Sequence, residues 1–107
     1  DAFAQAGYTG EEITVGGGAT ASDLWLQIHA DTAGIPVRVP ASPDAPSTGS
    51  AVLAGVGAGI FDTIDEGIGV MVHPGRLIEP RADNTRAYDE IYTRYCALYP
   101  ALKQVLS

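Results

Sequence analysis

The stretch that decides the fold reads Glu12-Ile13-Thr14-Val15-Gly16-Gly17-Gly18-Ala19-Thr20-Ala21-Ser22-Asp23. Its β-branched start predicts a short strand over residues 12–15, and the glycines end that strand. A helix is predicted over about residues 23–33, with Ser22 or Thr20 as its N-cap and Gly34 closing it. Glycines let a ligand approach the backbone, and a helix N-terminus offers unpaired N–H groups and a partial positive charge. The unit therefore favours an anion or a nucleotide at this turn.

Two phosphate-binding motifs can be compared with the glycine turn. The Walker A loop requires Gly-Lys-Ser/Thr, but Gly18 is followed by Ala19-Thr20, so that motif is not matched. The dinucleotide fingerprint G-x-G-x-x-G/A matches Gly16, Gly18 and Ala21. It also requires an acid at the end of the next strand, about 20 residues later, but the nearest acid is Asp44 in a predicted loop. A glycine turn can also simply reverse the chain. From these residues alone, nucleotide binding, dinucleotide binding and a purely structural turn stay open.

The remainder of the chain alternates predicted strands and helices, which indicates an α/β layer structure. A second strand is predicted over residues 35–39, with Pro36 at a sheet edge or a strand start, and an exposed loop follows over residues 40–48. Each interior glycine costs a helix up to about 1 kcal/mol, so the glycine-rich helix at residues 49–59 is predicted to pack closely against another backbone or a ligand. The helix after the glycine turn is expected to bury one stripe, formed by Leu24, Trp25, Ile28 and Thr32.

Two more helices are predicted in the second half. Thr63 and Glu66 fit a capping box, so a short helix should run to about residue 72 and stop at residues 73–75. Residues 76–80 are expected to be extended. Asp83 or Asn84 should cap a last helix that ends or kinks at Pro100. Its apolar face follows helical period and comprises Tyr88, Ile91, Tyr92, Tyr95, Leu98 and Tyr99.

Charge and composition exclude several classes of partner. The chain has 107 residues and a formal net charge of −7, from 13 acidic and 6 basic residues, so we expect no nucleic-acid partner and no membrane association. Cys96 is the single cysteine, which favours a reducing, cytoplasmic location. His29 and His73 are far apart and lack metal-ligand spacing, so no metal site is predicted from the residues.

The segment from Gly16 to Asp31 closely resembles the adenosine motif of the FGGY carbohydrate kinases, which belong to the actin-like ATPase superfamily. The resemblance continues in order along nearly the whole chain. It includes Gly34-Ile35-Pro36-Val37, Thr48-Gly49-Ser50-Ala51-Val52-Leu53-Ala54, Gly57-Ala58-Gly59, Glu79-Pro80, Tyr88-Asp89-Glu90-Ile91-Tyr92 and Tyr95. It implies an α/β fold that forms part of an actin-like ATPase (ribonuclease H-like) domain, with short strands and packed helices.

The chain departs from the family pattern in two places. Ser47-Thr48 precedes Gly49 where the family usually has Ala-Leu-Gly-Ala-Ala, and Ser22-Asp23 stands where glycerol kinases carry asparagines, which puts the hydrogen bonding near the adenine in question. The context of residues 28–31 and Met71-Val72 is most similar to the ribulokinase-like branch.

The resemblance also implies a function. Residues 1–107 would be a C-terminal nucleotide-binding domain whose upstream part is missing, because residues 1–7 are predicted to be the end of a helix closed by Gly7. The full-length parent would transfer the γ-phosphate of ATP to a carbohydrate hydroxyl, of a pentulose such as ribulose, with ATP and Mg²⁺ as cofactors and a small sugar or polyol as substrate. The family allows a homodimer of the full-length protein.

The same resemblance assigns the site residues. The catalytic base is expected upstream, so no catalytic residue is assigned and the isolated chain is predicted to be inactive. The nucleotide-binding set is Gly16, Gly17, Gly18, Ala19, Ser22 and Asp23. Gly17, Gly18 and Ala19 would form a backbone floor under the α-phosphate and ribose, with Ser22 at the adenine edge and Asp23 beside it. The alternatives are a non-catalytic regulatory module that keeps the actin-like fold and its nucleotide pocket, or a dinucleotide-binding fragment.

Overall fold

The helices and strands follow one another in the alternating order that the sequence predicts. The computed structural model describes residues 2–42 and 44–106. The elements are α1 (Ala2–Gln5), β1 (Ile13–Thr14), a short 3₁₀ turn (Gly18–Ala21), α2 (Asp23–Ala33), β2 (Val37–Arg38), α3 (Ala45–Gly57), α4 (Ile64–Met71), β3 (Leu77–Ile78) and α5 (Ala82–Leu106). Gly7, at φ 83°, follows α1 as the predicted glycine stop, and its N–H donates to the Ala4 carbonyl at 3.0 Å.

The strands of the described residues form one small sheet in the order β1-β2-β3. β1 and β2 are parallel, with Ile13 opposite Val37, and α2 is the crossover between them. β3 runs antiparallel to β2, with Ile78 opposite Val37. β2 is therefore the central strand, and Pro36 occupies a strand-start position where its carbonyl accepts from the Ile13 N–H at 2.9 Å. A proline is tolerated there because its missing N–H lies just outside the paired residues.

The core lies between α2 and the sheet. Leu26 and Ala30 of α2 are fully buried, as is Val37 of β2, and Val39 is nearly so. Leu26 and Ala30 stand four residues apart, so they share the helix face that meets the sheet. The prediction that α2 buries the stripe containing Leu24 was wrong, since Leu24 is 72% exposed. The apolar periodicity of α2 marks two faces, and the sheet covers the one with the smaller side chains.

Helix α3 begins at Ala45, so the prediction of an exposed loop up to residue 48 was wrong. The Asp44 side chain caps the helix by accepting from the Ser47 N–H at 3.3 Å and from the Ser47 hydroxyl at 2.7 Å. Pro46 sits in the first turn, where its missing N–H costs no hydrogen bond. An aspartate followed by a proline in the first turn is a helix-start signal that the proline-rich composition concealed.

The predicted close packing of the glycine-rich helix is present at one of its glycines. A Cβ placed on Gly55 would lie 2.6 Å from the Phe61 ring, and one on Gly67 of α4 would lie 2.9 Å from the same ring. Gly49 and Gly57 have nothing within 4 Å of such a Cβ. The Phe61 ring therefore fills the gaps over two glycines where α3 meets α4.

Helix α4 starts at the predicted Thr63 cap, and only the return bond of Glu66 differs from a capping box, since it reaches the N–H of the residue before the cap. Thr63 Oγ1 accepts from the Glu66 N–H at 3.1 Å, and the Glu66 carboxylate accepts from the Asp62 N–H at 2.8 Å. The helix ends at Met71, close to the predicted position.

Helix α5 differs from its prediction at both ends. It begins at Ala82, so Asp83 and Asn84 lie inside its first turn. Asp83 pairs with Arg86, and Asn84 donates to Asp31. The helix passes through Pro100 and ends at Leu106, because losing a single backbone hydrogen bond does not outweigh the bonds on either side of it. None of the helices in residues 2–42 and 44–106 has an apolar run long enough to cross a bilayer.

The apolar face predicted for α5 follows helical period, but most of it is exposed. Among its members Tyr92 is 46% exposed and Tyr95 is 68% exposed, and their rings stack with centroids 6.2 Å apart. The predicted periodicity is therefore present, and most of the apolar face is exposed in this chain.

Candidate nucleotide-binding site

The glycine turn after β1 has a backbone that only glycine adopts readily. Gly17 lies at φ 90° and ψ −173°, a region that excludes residues with a Cβ. The turn that follows is closed by Thr20, whose N–H and hydroxyl both donate to the Gly17 carbonyl, at 3.1 Å and 2.7 Å. Thr20 is buried, so it fixes the turn and is not the N-cap of α2.

Helix α2 starts immediately after this turn. Ser22 is its N-cap, because its hydroxyl oxygen accepts from the Trp25 N–H at 3.2 Å. Asp23 occupies the first helical position, where a negative charge complements the helix dipole. Its carboxylate pairs with Arg76, and that guanidinium also donates to the Thr20 carbonyl at 3.0 Å.

An open cavity of about 590 Å³ lies between the glycine turn and the start of α3. Its volume falls within the range of ligand pockets. A Cβ placed on Gly18 would have nothing within 4 Å, so the space over this residue is free of protein atoms. The lining residues are Gly17, Gly18, Thr20, Ala21, Asp44 and Pro46.

The C-terminal domain of the FGGY family of carbohydrate kinases matches residues 1–58, which is more than half of the chain. The chain belongs to this family.

Three relatives illustrate the breadth of the similarity within the FGGY kinases. A xylulose kinase of Staphylococcus epidermidis is 33% identical over 101 residues, or 94% of this chain and 20% of the relative. An autoinducer-2 kinase of Yersinia enterocolitica is 34% identical over 93 residues, or 87% of this chain and 18% of the relative. The crystal structure of a xyloylose kinase from Brucella ovis superposes with a TM-score of 0.77 at 33% identity, over 97% of this chain and 21% of that one.

These comparisons settle the fold class and leave the subfamily open. The structural relatives are sugar kinases with the actin-like ATPase fold, so the predicted fold class is confirmed. The chain spans about a fifth of the length of the curated relatives it matches. The relatives are named for xylulose and autoinducer-2, so they give no support to the ribulokinase-like branch, which stays a prediction. Membership also leaves the dinucleotide-binding alternative without support.

The structure brings only part of the FGGY adenosine motif to the cavity. Gly17 and Gly18 line it. Gly16 instead faces α3, since a Cβ there would lie 3.4 Å from the Ala45 methyl. Ala19 is exposed on the turn, and Ser22 and Asp23 follow the lining residues at the start of α2.

Sequence reasoning missed the opposite wall of the cavity. Asp44 and Pro46 line it from the first turn of α3, which the predicted loop had hidden. The sequence signal that could have found them is an aspartate cap followed by a proline, because this pattern predicts a helix start at Asp44 in place of a loop. Asp44 is the acid among the lining residues, and each of its carboxylate oxygens accepts one hydrogen bond from Ser47.

A buried carboxylate behind the site holds α2 in place. Asp31 is 2% exposed and accepts from the Arg81 N–H at 2.7 Å, from Asn84 at 2.8 Å and from Gln27 at 2.8 Å. These hydrogen bonds, led by the Arg81 N–H, outweigh burial and lower the pKa of Asp31 from its ordinary value. Asp31 therefore has the structural role that its place near the helix end indicates.

The remaining titratable candidates do not gather into a metal site. His29 stacks on Trp25 with ring centroids 3.6 Å apart. Among the described residues, no three His, Cys, Asp or Glu side chains form a group that could hold a metal ion.

A separate cleft of about 380 Å³ between α3 and α4 is lined mainly by apolar side chains, including Val52, Ile68 and Met71.

Proposed function

We propose that the complete protein containing this chain is an ATP-dependent carbohydrate kinase, and that residues 1–107 form its nucleotide-binding part. The observation that carries the proposal is the free space over Gly18, beside a turn whose Gly17 conformation excludes other residues. Glycines with open space above them are typical of turns where a ligand approaches the backbone closely. Membership of the FGGY family makes ATP the ligand of choice.

The proposed nucleotide lies with its ribose and α-phosphate on the glycine turn. The backbone N–H groups of the turn and of the first turn of α2 supply hydrogen bonds and partial positive charge to an anion. Ser22 gives its hydroxyl oxygen to the helix cap, which leaves its hydroxyl hydrogen available to an adenine nitrogen. The Asp44 carboxylate is unsuited to a phosphate, since the two charges repel, but each of its oxygens accepts only one bond from Ser47 and keeps a lone pair for a ribose hydroxyl.

The chemistry proposed for the complete protein is transfer of the γ-phosphate of ATP to a sugar hydroxyl. Such a reaction needs positioned phosphates, Mg²⁺ and a carboxylate base on the attacking hydroxyl. Within residues 2–42 and 44–106, Asp44 is the carboxylate that borders the cavity, and it is committed to capping α3. We therefore place the base and the ligands of the magnesium–phosphate complex in other parts of the complete protein.

The substrate is proposed to be a small carbohydrate, with pentuloses first. Two relatives are named for the kinases of xylulose and of autoinducer-2. Ribulose, a homodimer of the complete protein and a cytoplasmic location remain predictions.

A substrate panel tests this proposal directly. The complete protein, ATP and Mg²⁺ would be assayed for ADP release with xylulose, ribulose, other ketoses, glycerol and further polyols in turn. We expect turnover that depends on one or a few of these sugars. Tight ATP binding with no sugar-dependent turnover would instead favour the non-catalytic regulatory module, and absence of nucleotide binding would overturn the proposal.

A further inference from the structure

Arg76 connects the segment before β3 to the glycine turn. It lies just before β3, more than fifty residues after the turn in sequence. One guanidinium nitrogen donates to the Asp23 carboxylate, and another donates to the Thr20 carbonyl at 3.0 Å. A single side chain therefore joins Thr20, in the 3₁₀ turn, to Asp23, the first residue of α2.

The backbone around Arg76 holds this side chain in position. The Arg76 carbonyl accepts from the Val39 N–H at 2.9 Å, and the His73 carbonyl accepts from the Ala41 N–H at 3.1 Å. A Cβ placed on Gly75 would lie 2.1 Å from the Val39 carbonyl oxygen, so only glycine permits this close approach. The guanidinium thus projects from a segment that is tied to the central strand β2.

The exposure of the ion pair between Arg76 and Asp23 indicates that it adds little to the stability of the fold. The side chains of Arg76 and Asp23 are 49% and 79% exposed, and ion pairs with that much solvent contribute little to stability. The hydrogen bond from Arg76 to the Thr20 carbonyl instead acts on the site, because Thr20 lines the cavity and closes the turn on Gly17. Fixing that carbonyl fixes the direction of the neighbouring N–H groups.

We propose that Arg76 is a positioning residue for the nucleotide, which holds the glycine turn and the start of α2 in the geometry that receives ATP. The inference rests on the proposed function, since it assigns a role to the same site. Arg76 acts through its bonds to Thr20 and Asp23, and the residues that line the cavity do not include it, so it does not need to touch the nucleotide. Lysine cannot replace it, because one ammonium group lacks the planar pair of nitrogens that reaches both acceptors.

The test uses the complete protein with Arg76→Ala, Arg76→Lys and Asp23→Asn, and with Arg86→Ala as the matched control. Arg86 also forms an exposed ion pair, with Asp83, but on α5 away from the turn. Calorimetry with ADP, melting temperatures without nucleotide, and KM values for ATP and for the sugar would be measured for each.

We expect both Arg76 variants to weaken ADP binding and to raise the KM for ATP by about three- to tenfold, with the KM for the sugar unchanged. Asp23→Asn should have a smaller effect, since the bond to Thr20 remains, and Arg86→Ala should stay within twofold of the wild type. An Arg76→Ala protein that binds ADP within twofold of the wild type would overturn the inference, as would an equal rise in both KM values. A wild-type protein that binds neither ATP nor ADP would overturn the proposed function together with it.

Discussion

At the level of single residues, Gly17 and Gly18 resist substitution for different reasons. Gly17 has a backbone conformation that strains any other residue, so changing it would disturb the turn itself. Gly18 has no positive φ and open space where a Cβ would go. A side chain at Gly18 would therefore leave the fold intact and project into the proposed nucleotide position, which makes this residue the cleaner probe.

Replacing Gly18 with valine should weaken ADP binding by the complete protein at least tenfold, about 1.4 kcal/mol, because the branched side chain occupies the space over the turn. Calorimetry measures this. Gly57→Val is the matched control, since it too has open space for a Cβ but lies at the far end of α3. Unchanged ADP affinity in a folded Gly18→Val protein would contradict the site assignment.

Ser22 carries two roles that one substitution can separate. Loss of its cap on the Trp25 N–H should cost about 1 kcal/mol of stability in Ser22→Ala, with or without nucleotide. If its hydroxyl hydrogen also reaches the adenine, ATP should stabilise the variant less than the wild type, by roughly 0.5–1.5 kcal/mol. We expect this additional loss in thermal melts with ATP. Equal losses in both conditions would leave Ser22 as a cap alone.

At the level of secondary-structure elements, the contact between α3 and α4 depends on glycines that are not equivalent. Gly55→Ala should destabilise the protein by about 1–3 kcal/mol, because its Cβ would overlap the Phe61 ring. Gly57→Ala should be neutral or stabilising by up to about 1 kcal/mol, since its Cβ meets nothing and a glycine is removed from a helix. Denaturant unfolding of the two variants measures the difference, and equal effects would show that the Phe61 ring does not decide it.

The junction between α2 and α5 should be sensitive to acid. The pKa of Asp31 is lowered in the folded protein, so its stabilising effect is complete above the unfolded value of about 3.9 and is lost as the pH falls through the folded pKa. Asp31→Asn should therefore lower the melting temperature clearly at pH 7, and the gap from wild type should narrow as the pH drops below about 4. Thr32→Ala, a neighbour without a titratable group, should show a gap that does not change with pH.

The same elements show how far the sequence could predict the fold. The strand, turn and helix around Gly17 and the caps at Ser22 and Gly34 were predictable, because each depends on local backbone chemistry. The buried face of α2 was not, since two of its faces carry apolar residues and only the sheet decides between them. The Asp44 wall of the cavity was missed because a proline-rich composition was given more weight than a cap pattern.

At the level of the whole molecule, the chain is extended and its core is small. Its radius of gyration is 18.8 Å, against roughly 13 Å for a compact domain of this length. Large apolar side chains remain exposed along α5, such as Leu98 and Val105. Local periodicity marks an apolar face of a helix but does not show whether other parts of the chain cover it. The helix α5 was therefore predictable, and the exposure of its side chains was not.

The 107-residue chain alone should therefore show no sugar-dependent ADP release. Phosphoryl transfer is mostly positioning and electrostatic stabilisation, so a part of the cleft should retain almost none of the rate. A coupled assay with ATP, Mg²⁺ and pooled pentoses, pentuloses and glycerol measures this, with the complete protein as the positive control. Turnover clearly above a blank without protein would show that the catalytic base lies within these residues, and Asp23 and Asp31 would be examined first.

The Phe61 ring, which fills the gaps over Gly55 and Gly67, has a consequence for inheritance. A mutation at any one of these three positions leaves either a clash or a hole, so single changes are selected against even where each new residue would suit its helix. Divergence here should proceed through paired replacements, a smaller residue at 61 together with a larger one at 55 or 67. The three positions would then be inherited as one unit, although they belong to two helices and the loop between them.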